Sequence, residues 1–509
     1  MKKESQFVII GFKEAMKVNI QDHPKLYTKS PLDDFLSIPP YDPEAEKRAR
    51  RQLEGKQYPR KDVSEQLYRY NVAIGNDSTA LHNIEKLNDP EAVCVVTGQQ
   101  LGFMGGPAYT ILKALSCLLL ARQTKSIPIF WLATEDHDVA EIDHAVLIDS
   151  LGNLKSFHLT LPKDGRCVED LFLTPQHFEV MDSFLQTVGK TNLLYRGETS
   201  YAKLMARFLA DLFVGTGLVF LEPYLLRSLA TPFFKKEVRQ CRQIQQTINK
   251  TTQDYEAAGG VPLLKMHEGT NLFLKVNGFR RKIVYSDNGF LVGSQRYSEN
   301  DLLKLIDENP QNFSTNVAAR PVLQSLLLPT LAYVAGPNEL AYYRQLKDYH
   351  CLHGVAMPWI VPRLSATLVS PYASQLLEKC HLDPWDIIPR HWTEIFPEVG
   401  LELERLSQEW QNAASKECHE DISIEALHRF VRHCLHNLQR KVIKSRVKSL
   451  GLPHQALHFL HNLIHPREKL QERILNWYAF QATSQENLIQ AFLEHADWRS
   501  QGHLYCFLK

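Results

Sequence analysis

Two short polar clusters, each at the end of an apolar run, hold most of the groups in this 509-residue chain that could do chemistry. The first follows Val93 to Val96 and reads Thr97-Gly98-Gln99-Gln100, with Gly102, Gly105, Gly106 and Pro107 behind it. Such a turn offers backbone N–H groups and two glutamine amides between a strand and a helix, where α/β proteins hold ligands and anions above all. The alternative is a tight connection in which glycine only relieves the backbone. The second cluster follows Ile127 to Ala133 and reads Thr134-Glu135-Asp136-His137-Asp138, with Glu141, Asp143 and His144 close behind. A histidine oriented by carboxylates suits general acid/base work near neutral pH, or hydrogen bonding to a substrate. Asp and His are also metal-ligand types. Adjacent residues at a strand end seldom face one ion, however, and this cluster has no His-x-x-x-His pair, so no metal is expected in it. A capping cluster without catalytic work is the remaining alternative.

The intervening sequence says how the clusters are positioned. Tyr109, Leu112, Leu115, Cys117, Leu118 and Leu119 are spaced as a helix with a broad apolar face, which Pro107 would open as its first residue. Strand, helix, strand is a βαβ crossover, so both polar turns should lie at the same edge of one parallel sheet. Further on, Asn316, Arg320 and Pro321 lead into the apolar run Leu326-Leu327-Leu328-Pro329-Thr330. A second glycine/proline turn, Tyr333-Val334-Ala335-Gly336-Pro337-Asn338-Glu339, then precedes a helical pattern of Leu340, Tyr342, Tyr343 and Leu346. Alone, that turn reads as structural. Beside the first it is expected to form a second wall of the same cleft.

Composition narrows the class. Apolar residues make up 44% and charged residues 23%, and 58 basic residues nearly cancel 57 acidic ones, which gives no reason to expect nucleic acid or membrane as a partner. Nine scattered cysteines without a Cys-x-x-Cys pair point to reduced thiols and a cytoplasmic protein. No apolar run approaches membrane-spanning length, and Phe7 to Ile10 is too short for a signal-peptide core. Residues 1–90 are expected to lead into the core, 91–371 to form it, and 372–509 to be helical with a C-terminal segment returning to the core. A strand is expected at Gly217 to Leu221, and Asn277-Gly278 marks a hairpin between Thr270–Leu274 and Arg281–Tyr285. Leu427, Val431, Cys434, Leu438 and Val442 are spaced close to a coiled-coil seam, with a helical hairpin as the alternative. A P-loop, a G-x-G-x-x-G turn and a G-x-S-x-G elbow are all missing.

Long stretches of these residues resemble one family. The run from Val95 through Thr97-Gly98-Gln99-Gln100, Gly102, Gly105-Gly106-Pro107, Tyr109-Thr110 and Lys113 is similar to the signature of the cysteine-adding enzymes of bacillithiol synthesis, the BshC family. So are Pro128 to His144, Asn316 to Pro321, Leu328 to Tyr342, Pro362-Arg363-x-Ser365-x-Thr367 and Leu470-Gln471-Glu472-Arg473. The resemblance implies a Rossmann-like parallel-sheet core with connecting insertions, plus a C-terminal α-helical coiled-coil domain through which members pair as homodimers. It implies a ligase that joins the cysteine carboxyl to the amine of glucosaminyl-malate, with ATP and Mg²⁺ as the source of carboxyl activation. Carried over, Thr97, Gly98, Gln99 and Gln100 would line the substrate or nucleotide pocket, with Gly106, Tyr109, Tyr333, Gly336 and Glu339 around it. Asp136 and His137 would deprotonate the attacking amine, with Asp138 and His144 beside them. Lys113 and Arg320 would hold carboxylates. The chain departs from the family in having Ala335 and Asn338 where glycine is usual, and it shows neither adenylation element, His-x-Gly-His or Lys-Met-Ser-Lys-Ser. A non-catalytic nucleotide-binding dimer that recruits a partner, or a ligase for another amine and acid, are the competing readings.

Overall fold

The computed structural model describes residues 31–190, 197–264, 269–286, 289–380, 382–387, 454–481, 487–500 and 502–508. The spacing at Leu427–Val442 lies outside the described residues. Fourteen strands occur among them, in chain order β1 (Cys94–Gln99), β2 (Ile127–Leu132), β3 (His144–Ile148), β4 (Leu154–His158), β5 (Val219–Leu221), β6 (Leu272–Val276) and β7 (Phe279–Ser286). They continue with β8 (Gly289–Val292), β9 (Gln295–Tyr297), β10 (Phe313–Thr315), β11 (Thr330–Ala335), β12 (Trp359–Pro362), β13 (Ser365–Val369) and β14 (His503–Phe507).

The main sheet has the order β12-β11-β1-β2-β5, and every pairing in it is parallel. Period-two alternation divides its side chains between two cores. Val95, Phe130, Leu132, Phe220, Val334 and Val361 face one; Val96, Ile129, Trp131, Leu221, Tyr333 and Ile360 face the other. Burial on both faces is what a sheet of β-branched and aromatic runs requires. From β1 the chain adds β2 and β5 on one side, then returns to add β11 and β12 on the other. The order reverses between β1 and β11, and ligands of open α/β sheets bind beyond the strand ends at such a reversal.

The helix Tyr109–Thr124 joins β1 to β2 as expected, but 13 of its 16 residues are buried. It is therefore a central helix, enclosed all round, which goes beyond the broad apolar face that the spacing predicts. Leu493, at the end of a C-terminal helix (Leu488–His495), accepts from Arg122 through its carbonyl at 3.0 Å, and β14 pairs in parallel with β13. Pro107 is not the first helical residue: it bridges to Asn476, and the helix starts two residues later.

The hairpin reading is borne out. Asn277 and Gly278 take φ of 52° and 82°, the double left-handed turn that suits the twist of β6 and β7. These strands belong to an antiparallel sheet, β10-β6-β7-β8-β9. The expected strand before Glu222 is β5. The apolar run at 326–330 is a correction. It divides into the end of a helix (Ala319–Leu327) and the start of β11, so Tyr333, Val334 and Ala335 lie in a strand rather than in the turn.

Candidate active site

A cavity of about 590 Å³ opens beyond the carboxyl ends of β1, β2 and β11, and the hairpin β6–β7 forms its outer wall. Its size falls within the roughly 300–1,000 Å³ usual for small-molecule sites. Gly98 stands at its base, where even a methyl group would be crowded. A Cβ there would lie 3.0 Å from the Trp131 carbonyl and 3.1 Å from the Trp131 Cβ.

A buried ion pair ties the two glycine turns together. Lys113, from the central helix, donates to the Gly98 carbonyl, to Gln99 Oε1 at 3.2 Å and to Glu339 Oε2 at 2.5 Å. Glu339 also accepts from the Gly336 N–H and from the Tyr333 hydroxyl, both at 2.7 Å. It sits in the first turn of the helix Pro337–Tyr343, where a carboxylate favours the free N–H groups. Burial alone would raise the Glu339 carboxyl, but Lys113, Arg320 and the Gly336 N–H hold it below its ordinary value. Burial lowers the Lys113 ammonium, and Glu339 opposes that shift. Lys113 and Glu339, expected to bind ligand, both line the cavity and neutralise each other across the two strand ends. Asn338 is helical and needs no positive φ, so its departure from glycine carries no backbone strain.

The β2 end carries the acid/base groups. Glu135 is buried and accepts from the Thr315 hydroxyl at 2.9 Å. Burial raises its carboxyl, moderated by the charges of Arg280 and Arg227. Glu141, at the cavity mouth, is also raised by burial and by Asp138 and Asp136. Asp136 accepts from Gln100 Nε2 at 2.6 Å, from Arg280 at 3.4 Å and from the His137 backbone N–H at 2.7 Å. Arg280 Nη1 stands 3.1 Å from His137 Nδ1. A guanidinium only donates, so this contact assigns Nδ1 as the acceptor and leaves the ring proton on Nε2. His137 thus presents a donor to the cavity.

Two cations line the cavity without a direct ion pair to a carboxylate among the described residues, although Glu339 acts on Arg320 at longer range. Arg320 donates to the Tyr342 hydroxyl at 2.7 Å and to Gln324 at 3.4 Å, and it packs 5.3 Å from the Tyr333 ring centroid. Arg473 lines the same space. Their neighbour Arg363 is already bound to Glu472 at 2.6 Å. Two buried polar atoms of the lining also lack a hydrogen-bond partner among the described residues: Gln100 Oε1, an acceptor, and Trp131 Nε1, a donor. Orphaned groups of this kind are few in native proteins, and a ligand is one way to satisfy them.

The cavity collects Gly98, Gln99, Gln100, Tyr109, Lys113, Asp136, His137, Arg320, Tyr333, Gly336 and Glu339 of the expected residues. Four others stand apart from it. Thr97 is buried in the sheet, donating to the Val334 carbonyl at 2.9 Å. Gly106 serves the turn: it has φ 66°, and a Cβ on Gly102 would come within 2.7 Å of its Cα. Asp138 caps a short 3-10 turn by accepting from the Ala140 N–H. His144 begins β3, bonds Asp143 at 2.9 Å and stacks on His158. Sequence reasoning missed Trp131, Phe273, Arg280 and Thr315 as lining residues. Arg363 and Arg473 also line the cavity, within the family-like motifs Pro362 to Thr367 and Leu470 to Arg473.

Fold and site together define a Rossmann-like α/β protein with a charged small-molecule cavity at the reversal point of its sheet. The sequence model of the BshC N-terminal Rossmann-like domain of bacillithiol biosynthesis matches residues 19–364, and that of the BshC C-terminal coiled-coil domain matches residues 423–508. The chain belongs to this family. A relative from Koribacter versatilis is 32% identical across 84% of this chain and 86% of its own length. One from Heliobacterium modesticaldum is 34% identical across 67% and 68%, and one from Geobacillus sp. is 28% identical across 81% and 80%. All three bear the name "Putative cysteine ligase BshC".

Proposed function

We propose that the cavity joins the carboxyl of cysteine to the amine of glucosaminyl-malate, forming the amide bond of bacillithiol. The observation that carries this reading is the pair of guanidinium groups without a direct ion pair among the described residues, Arg320 and Arg473, in a cavity whose other charges are largely matched. Malate supplies two carboxylates, and charge-assisted bonds to arginine are the strong way to hold them. Gln100 Oε1 and the carboxylates beyond β2 suit the opposite demand, an ammonium that must lose a proton before it attacks.

Glu135 is the better matched proton acceptor, because burial brings its carboxyl toward the working pH. Asp136 orients Gln100 and Arg280, and His137 donates from Nε2 to the substrate. A free carboxylate needs activation before amide formation in water, and ATP with Mg²⁺ is the activator in this reading. Asp136 and Glu141 are cavity oxygens that fit a hydrated Mg²⁺. The protein works as a homodimer paired through its helical region, in the cytoplasm. Free thiols at Cys94, Cys117, Cys167, Cys241, Cys351 and Cys506 suit that compartment. Among the described residues no helix is long and apolar enough to cross a membrane.

The test is mass spectrometry of purified protein with cysteine, glucosaminyl-malate and ATP-Mg²⁺, run beside a tube lacking ATP. ATP-dependent bacillithiol supports the reading. Absence of product in both tubes, with the fold intact, removes it. Light scattering of the full chain checks the dimer.

A further inference from the structure

Away from the cavity, the end of the helix His454–Ile464 and the turn after it gather three ligand-type side chains. His461 and His465 are four residues apart, so their rings leave the same face. The chain then turns back sharply, with Arg467 and Glu468 at φ 52° and 58°, and this returns Glu468 to the helix end. Glu468 Oε1 lies 3.6 Å from His461 Nε2, and Oε2 lies 3.6 Å from His465 Nδ1. One donor atom from each of the three falls within 4.8 Å of the other two.

These distances are longer than N–H···O hydrogen bonds. They are close to what a metal needs. Zn²⁺ held tetrahedrally at about 2.0–2.1 Å sets neighbouring donors about 3.3 Å apart. Each histidine stands 3.6 Å from its own Glu468 oxygen. One atom from each of the three residues lies within 4.8 Å of the others, so modest side-chain rotations close the shell. The two imidazole planes stand 89° apart, which lets their nitrogens converge. Two other clusters are less suited. At Asp143, His144 and His158 the rings are stacked at 24°, so their edges run parallel. At Cys167, Glu169 and Asp170 the carboxylates already hold Arg227 and Lys275.

We propose that His461, His465 and Glu468 form a site for a borderline divalent transition metal, Zn²⁺ foremost, with water as the fourth ligand. Two imidazoles and a carboxylate favour such an ion over Mg²⁺ or Ca²⁺. Side chains of His461 and Glu468 are 19% and 46% exposed, so the ion has a path in. The site lies outside the reaction cavity and is joined to it by sequence. Gln471 follows three residues later and donates to the Leu463 carbonyl at 2.7 Å, and Arg473 then enters the cavity. A bound ion ties the helix end to the segment that delivers Arg473.

The test is calorimetric titration of Zn²⁺ into the EDTA-treated full chain, with Co²⁺ absorption as a report of tetrahedral coordination. His461→Gln, His465→Gln and Glu468→Gln are each expected to weaken one equivalent by at least about 100-fold, since loss of even an outer-sphere partner costs a metal site about 10- to 100-fold. His158→Gln is expected to leave that equivalent intact. Binding should weaken below about pH 6 as the imidazoles take up protons. Glu468 is exposed, so its substitution tests the site even where a histidine variant fails to fold. Unchanged Zn²⁺ binding in Glu468→Gln and a folded histidine variant, or no binding by the parent chain, overturns the proposal.

Discussion

Glu339→Gln isolates the ion pair that fastens the two glycine turns. The change keeps shape and leaves the amide oxygen able to accept from the Gly336 N–H or the Tyr333 hydroxyl. It also strands Lys113, whose side chain is 2% exposed, with only the Gly98 carbonyl and Gln99 as partners. Breaking one partner of a buried pair costs about 3–5 kcal/mol when the other stays charged. Lys113 has a way out, which is to fold as the neutral amine. From an unfolded lysine near pKa 10.4, shedding the proton costs about 1.36 kcal/mol for each pH unit below that value, or about 4 kcal/mol at pH 7.5 and about 2 at pH 9. Proton release therefore caps the damage, and the cap falls as pH rises.

Urea unfolding of the variant beside the parent, followed by tryptophan fluorescence at both pH values, reads this directly. The expected difference is about 3–4 kcal/mol at pH 7.5, halving by pH 9, and Lys113→Met added to Glu339→Gln should restore part of it. A difference below about 1 kcal/mol, or one that does not move with pH, would refute the account of Lys113 as a buried cation held by Glu339.

Arg320→Met should raise the KM for glucosaminyl-malate by about 10- to 100-fold with the fold retained, the range expected for losing a charged hydrogen bond; steady-state kinetics decide it. Glu135→Gln should lower kcat far more than His137→Ala, and the reverse order would return the proton-acceptor role to His137. Gly98→Ala forces its methyl against Trp131 at 3.0–3.1 Å and should cost about 1–3 kcal/mol, seen as a lower thermal midpoint. Glu222 is a buried carboxyl raised from 4.5 to about 6 by burial, and it accepts from Tyr70 and Thr134. The folded state keeps its proton to higher pH than the unfolded state, so its contribution is fullest below about pH 4.5. It declines by about 2 kcal/mol as pH rises through about 6. His350, lowered from 6.5 to about 4 by burial, acts with the opposite sign and destabilises as pH falls from 6.5. Glu222→Gln should therefore steepen the loss of stability toward acid, which urea midpoints at pH 4.5 and 7 would show.

The parts of the site legible in the sequence are those that local chemistry dictates. Val93 to Val96 and Ile127 to Leu132 are short continuous apolar runs, which suit strands covered on both faces, as β1 and β2 are. The polar residues that end them must then share a sheet edge. Asn277-Gly278 fixed its hairpin for the same local reason. What stayed illegible depends on distant partners. The apolar spacing predicted only a broad apolar face on the central helix; the rest of its surface is covered by segments near residues 366 and 490, which no window around residue 115 contains. Pro107 does not begin that helix because Asn476 bridges to it and holds the carbonyls of Met104 and Gly106.

Arg280 shows the same limit within the site. By sequence it is one charged residue beyond a hairpin turn, facing solvent as readily as a cavity. Its function follows from packing: β6 sets Phe273 beneath the guanidinium at 3.8 Å, and β10 supplies the Thr315 carbonyl at 2.6 Å. Those contacts aim Nη1 at Asp136 and His137, and so decide which nitrogen of His137 can donate. The hydrogen-bonding role of His137 is thus set by a residue 143 positions away. The sheet reversal between β1 and β11 has the same character. It brings Gly98 and Gly336, 238 residues apart by their numbers, to one rim and makes Lys113–Glu339 the joint between them. A cluster of polar residues at one strand end names the chemistry on offer, and the crossing of the chain selects which of those groups can perform it.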